Sequence, residues 1–223
     1  MSMEKINSGG APGKAALFDL DGVLIDTETQ YTAFWAGIGK RFVPDVPDFA
    51  QRMKGETLRH IFDTYFPDME ERQAELSAAL SAFEQTMGYP LMPGAEALVA
   101  ALRSAGWHTA VVTSSNREKM ANVYAANPGL EKWFDRVFTA EDTARSKPEP
   151  DPYLGAGRFF GLTSPWCVVF EDSLNGVRAG HAAGMAVVGL STTLPVSAIA
   201  PYCRVVVPDL SALAVADVEA LLV

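Results

Sequence analysis

The feature that most constrains this chain is an alternation. Short runs rich in β-branched and aromatic residues, "AALFDL" (15–20), "HTAVVTSS" (108–115), "RVFTA" (136–140), "WCVVFED" (166–172), "AVVGLS" (186–191) and "RVVV" (204–207), are separated for the most part by stretches with helical periodicity. Strands divided by helices read as βαβ units, whose crossover helices lie on the two faces of a parallel sheet. The class is therefore α/β, and 48% hydrophobic residues in a chain of 223 are enough for a buried core.

The alternation stops between about Thr29 and Tyr89. There "TLRHIFDTYF" and "MEERQAELSAALSAFEQTM" are amphipathic and no run reads as a strand. An all-helical insertion is expected over 29–90, interrupting a core made of 15–28 and 91–223, with "GYPLMPG" as its hinge-like exit through Gly88, Pro90, Pro93 and Gly94. Residues 1–14, polar and rich in Gly and Ser, are expected to form a mobile arm.

Charge and composition exclude several roles. A formal net charge of −9 leaves no basic block to neutralise a nucleic-acid backbone, although local cations still permit a small phosphorylated ligand. No run approaches the roughly 20 apolar residues of a membrane helix, and the first residues lack a secretory h-region, so the expected location is the cytoplasm, as a monomer or weak dimer with no nucleic-acid or membrane partner. Cys167 and Cys203 sit in apolar surroundings and read as buried thiols rather than a disulfide. His60, His108 and His181 share no ligand spacing. Gly176, Gly180 and Gly184 recur every fourth residue, which predicts close packing of one helix face on the sheet.

Open parallel sheets bind ligands at the carboxyl ends of their strands. The first run ends in Asp19 and Asp21, the second in "TSSN" (Thr113 to Asn116), and the fourth in Glu171 and Asp172, while Lys147 follows the third in "SKPEPDP". Two carboxylates one residue apart repel each other unless a cation, a proton or a metal-bound substrate resolves the conflict. The inventory suits a divalent metal on Asp19 and Asp172 and a phosphate on Thr113 and Lys147.

With those residues in place, the chain resembles the haloacid dehalogenase superfamily, among its phosphatases and phosphomutases with a small helical cap. "FDLDGVLIDTE" is similar to the first motif, "VVTSS" to the second, Lys147 of "SKPEPDPY" to the third and "VVFEDSLNGVRAG" to the fourth. The resemblance implies a Rossmann-like core with the insertion as cap, Asp19 as nucleophile, Asp21 as general acid and base, and Thr113, Ser114 and Lys147 on the phosphate. It also implies Mg²⁺ held by Asp19, the carbonyl of Asp21 and Asp172, with Glu171 behind them. "MKGETLRHI" resembles the cap's specificity loop, which makes Lys54, Glu56, Thr57 and Arg59 candidates for the rest of the substrate.

The expected activity is Mg²⁺-dependent hydrolysis of a small sugar or polyol phosphate through an aspartyl phosphate. An acid at Asp21 favours phosphate over halide departure, since halide leaves without a proton. The competing reading is a β-phosphoglucomutase. Against it, Tyr31 stands where the mutases carry a histidine and Leu58 where they carry a phosphate-gripping arginine, with Arg59 displaced by one. A non-catalytic binding or regulatory protein is the third reading, and the complete motif set opposes it.

Overall fold

The computed structural model describes residues 13–222. Most of the expected arm, residues 1–12, lies outside the described residues, and Lys14, assigned to that arm, instead opens the first strand, β1 (Lys14–Phe18). After β1 come α1 (Glu28–Phe42), α2 (Phe49–Arg52), α3 (Leu58–Tyr65) and α4 (Glu70–Thr86). The βα alternation then resumes with α5 (Ala95–Ser104), β2 (Trp107–Val112), α6 (Arg117–Ala126), β3 (Arg136–Phe138), α7 (Asp151–Phe159) and β4 (Cys167–Glu171). The chain closes with α8 (Leu174–Ala182), β5 (Ala186–Leu190), α9 (Val196–Ile199), β6 (Val205–Val207) and α10 (Val215–Glu219).

The strands form one parallel six-stranded sheet in the order β3-β2-β1-β4-β5-β6. Each apolar run of the sequence supplies one strand. β1 is central, and the winding direction reverses between β1 and β4, where a parallel sheet leaves a crevice at its carboxyl edge. Because side chains alternate across a strand, Ala16 and Phe18 pack into the core on one face and Ala15 and Leu17 into the core on the other. Phe18 stacks on Phe170 of β4 with ring centroids 4.4 Å apart, so the two strands that end in carboxylates are locked in register.

The helices α1 to α4 contain no strand, as the patterning predicts, and gather a separate core around Trp35, Phe49, Met53, Ile61, Phe66 and Leu76. The segments leading into and out of this insertion run side by side. Asp26 N donates to Pro90 O at 2.8 Å, Met92 N to Leu24 O at 2.9 Å, and Ile25 and Leu91 form an antiparallel bridge. The "hinge" residues thus carry a backbone clasp as well as turns.

Two packing expectations change. In the glycine series, Gly180 does sit against Val169 and Val187 of the sheet and Gly176 against Glu171, but Gly184 lies beyond the end of α8 at φ +70°. Cys167 is buried and Cys203 only half-buried, and both thiols are free. Among the described residues no helix is long and apolar enough to cross a membrane.

Candidate active site

Asp19 directly follows β1, and its amide donates to Phe170 O of β4 at 3.0 Å, which extends the ladder one residue and fixes the carboxylate at the mouth of the crevice. Asp172 follows β4 on the adjacent strand. With Glu171 these side chains form a buried cluster whose ligand atoms lie within 4.8 Å of one another. Lys147 reaches in from the loop before α7, with Nζ 2.7 Å from Asp19 Oδ1, 2.6 Å from Glu171 Oε1 and 2.9 Å from Val112 O.

The three carboxylates are not equivalent. Glu171 is fully buried and its two oxygens are saturated. Oε1 accepts from Lys147 and from Tyr153 OH at 2.9 Å, and Oε2 from the amides of Asp172 and Ser173 and from Ser173 Oγ. Among the described residues Asp19 Oδ2 and Asp172 Oδ1 have no such donor, while Asp172 Oδ2 accepts from Thr193 Oγ1. Asp19 and Asp172 therefore keep lone pairs for an external ligand, and Glu171 serves to orient Lys147 and the start of α8.

Electrostatics point the same way. Burial, opposed by Lys147, pushes the Asp19 carboxyl up to about 7. Burial and the neighbouring Glu171 hold Asp172 well above the carboxylate range. Burial works against the Lys147 ammonium, yet Asp19 and Glu171 hold it well above the usual lysine value. One lysine among three buried carboxylates leaves an excess of negative charge, and a divalent cation on the free oxygens of Asp19 and Asp172 fits that imbalance.

Asp21 lies at the edge of the same crevice. Its Oδ1 accepts from Thr27 Oγ1, and its Oδ2 from Ser115 Oγ at 3.1 Å and from Lys119 Nζ at 2.5 Å. Gly22 follows at φ +73°, and a Cβ there would sit 2.0 Å from Asp172 Oδ2, so the turn after the aspartates needs glycine twice over. Thr113 directly follows β2; its Oγ1 accepts from Ser115 N at 3.0 Å, and among the described residues its hydroxyl proton has no acceptor. Asn116 caps α6 by accepting from Lys119 N at 2.8 Å, so "TSSN" is both a phosphate-sized loop and a helix start.

A cavity of about 200 Å³ lies between the sheet edge and the insertion. Asp19, Asp21, Thr113, Ser114, Lys147 and Asp172 line it from the core. Tyr31, Lys54, Glu56, Thr57 and Arg59 line it from the insertion. Of the residues expected from sequence, Glu171 alone stands behind the wall. Their dispositions differ. Lys54 pairs with Glu28 at 3.3 Å, Glu56 Oε1 accepts from Asn175 Nδ2 of α8 at 2.6 Å, and Ser114 Oγ donates to Gly55 O at 3.4 Å. Thr57 is the N-cap of α3 and accepts from His60 N, while the Arg59 side chain is 89% exposed and faces Asp63. Tyr31 OH donates to Glu84 Oε1 at 2.7 Å.

The sequence did not point to Lys119 or Glu84, and Ser115 and Glu28 entered only as members of "VVTSS" and "FDLDGVLIDTE", without roles of their own. For Glu84 a signal existed: it follows Leu76 and Leu80 at intervals of four, on the apolar face of α4, where a carboxylate needs a reason. The three histidines stay outside the site: His60 faces Glu56 at 3.6 Å from a half-exposed position, His108 stacks on Phe160 and His181 meets Tyr202 edge to face.

Comparison with known proteins supplies the wider setting. The haloacid dehalogenase-like hydrolase family matches residues 14–184. Hexitol phosphatase A of Escherichia coli (strain K12) is 32% identical over 194 residues, covering 80% of this chain and 83% of its own. A β-phosphoglucomutase of Mycobacterium bovis is 31% identical, covering 92% and 93%. A crystal structure of a HAD hydrolase, family IA, variant 3, from Entamoeba histolytica superposes with a TM-score of 0.78 at 25% identity, over 93% of this chain and 98% of that one. A phosphatase and a mutase stand at nearly the same identity, so identity does not choose between them.

Proposed function

The chain belongs to the haloacid dehalogenase-like hydrolase family, and from that premise we propose that it is a Mg²⁺-dependent phosphatase of a neutral sugar or polyol monophosphate. The observation that carries this reading is one cavity lined by a carboxylate with a free oxygen (Asp19), a second hydrogen-bonded carboxyl (Asp21), a free hydroxyl (Thr113) and a buried ammonium (Lys147). That set matches the needs of stepwise phosphoryl transfer.

Asp19 attacks phosphorus, the bond to the leaving-group oxygen breaks, and Asp21 gives that oxygen a proton. A water molecule then attacks the aspartyl phosphate while Asp21 takes its proton, which restores Asp19 and frees phosphate. Asp19 and Asp172 would hold Mg²⁺, whose charge would let an anionic nucleophile approach an anionic phosphate. Thr113 donates to a phosphoryl oxygen. All three Lys147 protons are already committed to Asp19, Glu171 and Val112, so its part is to hold the nucleophile and lend its charge. Residues 29–90 act as a cap that excludes water and reads the leaving group.

Charge accounting favours a neutral leaving group. Glu28 at the start of α1 and Glu56 and Glu84 of the insertion line the cavity, while Lys54 is paired with Glu28 and the Arg59 side chain lies in solvent beside Asp63. A second phosphate or a carboxylate on the substrate would meet acceptors rather than donors. The same count weighs against a mutase, whose bisphosphate intermediate needs a grip at each end. Tyr31 weighs against it too: burial, then the nearby Asp21 and Glu84, hold its phenol far above its usual value, so it moves no proton in the neutral range.

The test is a panel of phosphorylated metabolites with Mg²⁺, including hexitol, hexose and glycerol phosphates beside phosphoglycolate and hexose bisphosphates. Neutral-polyol monophosphates are expected to give the highest kcat/KM. β-Glucose 1-phosphate with catalytic glucose 1,6-bisphosphate is expected to yield inorganic phosphate by ³¹P NMR. Faster accumulation of glucose 6-phosphate than of free phosphate would replace this reading with the mutase one.

A further inference from the structure

Lys119 has no part in the chemistry above, yet it is only 3% exposed. Burying an ammonium costs free energy that a partner must offset. Its place in α6 adds a second cost. Asn116 is the cap, so Lys119 is the third residue of the first turn, where the helix dipole favours anions over cations. A residue that breaks two local rules beside a catalytic cavity is best explained by what it does there.

Its partners show what that is. Nζ lies 2.5 Å from Asp21 Oδ2, next to Ser115 Oγ on the same oxygen, while Thr27 holds the other. From the opposite side Nζ sits 4.4 Å from the centroid of the Tyr31 ring, whose hydroxyl is tied to Glu84. The ammonium of a core helix is thus seated on an aromatic face presented by the insertion.

We propose that Lys119 is a positioning residue for Asp21, fixing Oδ2 so that the carboxyl keeps one orientation toward the leaving-group oxygen. The proposal rests on the phosphatase reading. When the phosphorus–oxygen bond breaks, the electron pair left on the departing oxygen takes the Asp21 proton. Lys119 keeps its own protons and stays bonded to the carboxylate so formed, until the attacking water returns a proton to Asp21. Because Tyr31 supplies the seat, the orientation is complete only when α1 lies against α6.

The test is Lys119→Met, measured by single-turnover phosphorylation and by steady state, on an alkyl substrate (glycerol 1-phosphate) and an aryl one (p-nitrophenyl phosphate). An aryl oxide leaves with little help from an acid. General acids contribute roughly 10²–10⁴ in rate, so a displaced one predicts a loss of about 10- to 100-fold in the single-turnover phosphorylation rate on the alkyl phosphate, against about threefold or less on the aryl phosphate, while hydrolysis of the aspartyl phosphate, common to both, slows equally in the steady state. Lys119→Met is expected to cost nothing further in an Asp21→Asn background. Equal losses in the single-turnover phosphorylation rate on both substrates, or losses that multiply with Asp21→Asn, would overturn the proposal. Lys119→Gln keeps a donor and a polar interior should the methionine variant fail to fold, and the same leaving-group contrast is expected of it. Wild-type protein that releases phosphate from neither substrate in Mg²⁺ would instead sink the phosphatase reading itself.

Discussion

Within the carboxylate cluster, neighbouring residues have separate tasks, and substitution should separate them. Asp19→Asn removes the proposed nucleophile while keeping an acceptor for Lys147, so turnover should vanish and the thermal transition should survive; near-wild-type phosphate release from a homogeneous preparation would refute the assignment. Asp172→Asn takes away a free oxygen, whereas Glu171→Gln disturbs a saturated one. Titration of activity against Mg²⁺ is therefore expected to show the larger rise in half-saturating metal for Asp172→Asn and the larger drop in melting temperature for Glu171→Gln, whose buried acceptors serve five donors. These residues were legible because each sits at a strand end, a position readable from hydrophobic patterning. Lys119 was not, since it enters the site through the first turn of a helix and touches Asp21 across 98 residues of sequence. Spacing along a chain carries no trace of such a pairing.

The sheet elements were readable because β1, β4 and β5 are buried on both faces and the other strands are short, mostly apolar runs, so patterning alone marked them. The helical insertion was readable by the same logic reversed, through the loss of alternation. What patterning misses is the tight geometry at the joins. At the start of α8, Gly176 lies so close to Glu171 that an added Cβ would fall 1.7 Å from Oε1. Gly176→Ala must push the carboxylate away from Tyr153 and Lys147, and a loss of about 2–4 kcal/mol in stability is expected, in the range seen when buried polar partners are broken. Urea unfolding monitored by circular dichroism would measure it, and a change within experimental error would mean that α8 shifts freely on the sheet. Gly180→Ala, facing the apolar Val169 and Val187 instead, should cost stability without altering half-saturation by Mg²⁺.

For the molecule as a whole, proton and metal binding are coupled. An acid whose pKa rises on folding stabilises the folded chain below its unfolded value and loses that contribution as the pH climbs through the folded one. Asp19 moves from 3.8 to about 7, and Asp172 shifts in the same direction. The metal-free protein should therefore lose stability between about pH 4 and pH 7 on account of this cluster, and Mg²⁺ must displace protons to bind within that window. The increase in melting temperature on adding Mg²⁺ should be small at pH 5.5 and several degrees larger at pH 8, and an equal increase at both would show that the cluster does not take up the ion. The clasp of Asp26 with Pro90 and Leu24 with Met92 has another consequence. It makes the intervening chain a detachable accessory, since the two ends meet before the helices begin. A change of length or sequence between those ends would leave the strands and the carboxylates beneath them where they are.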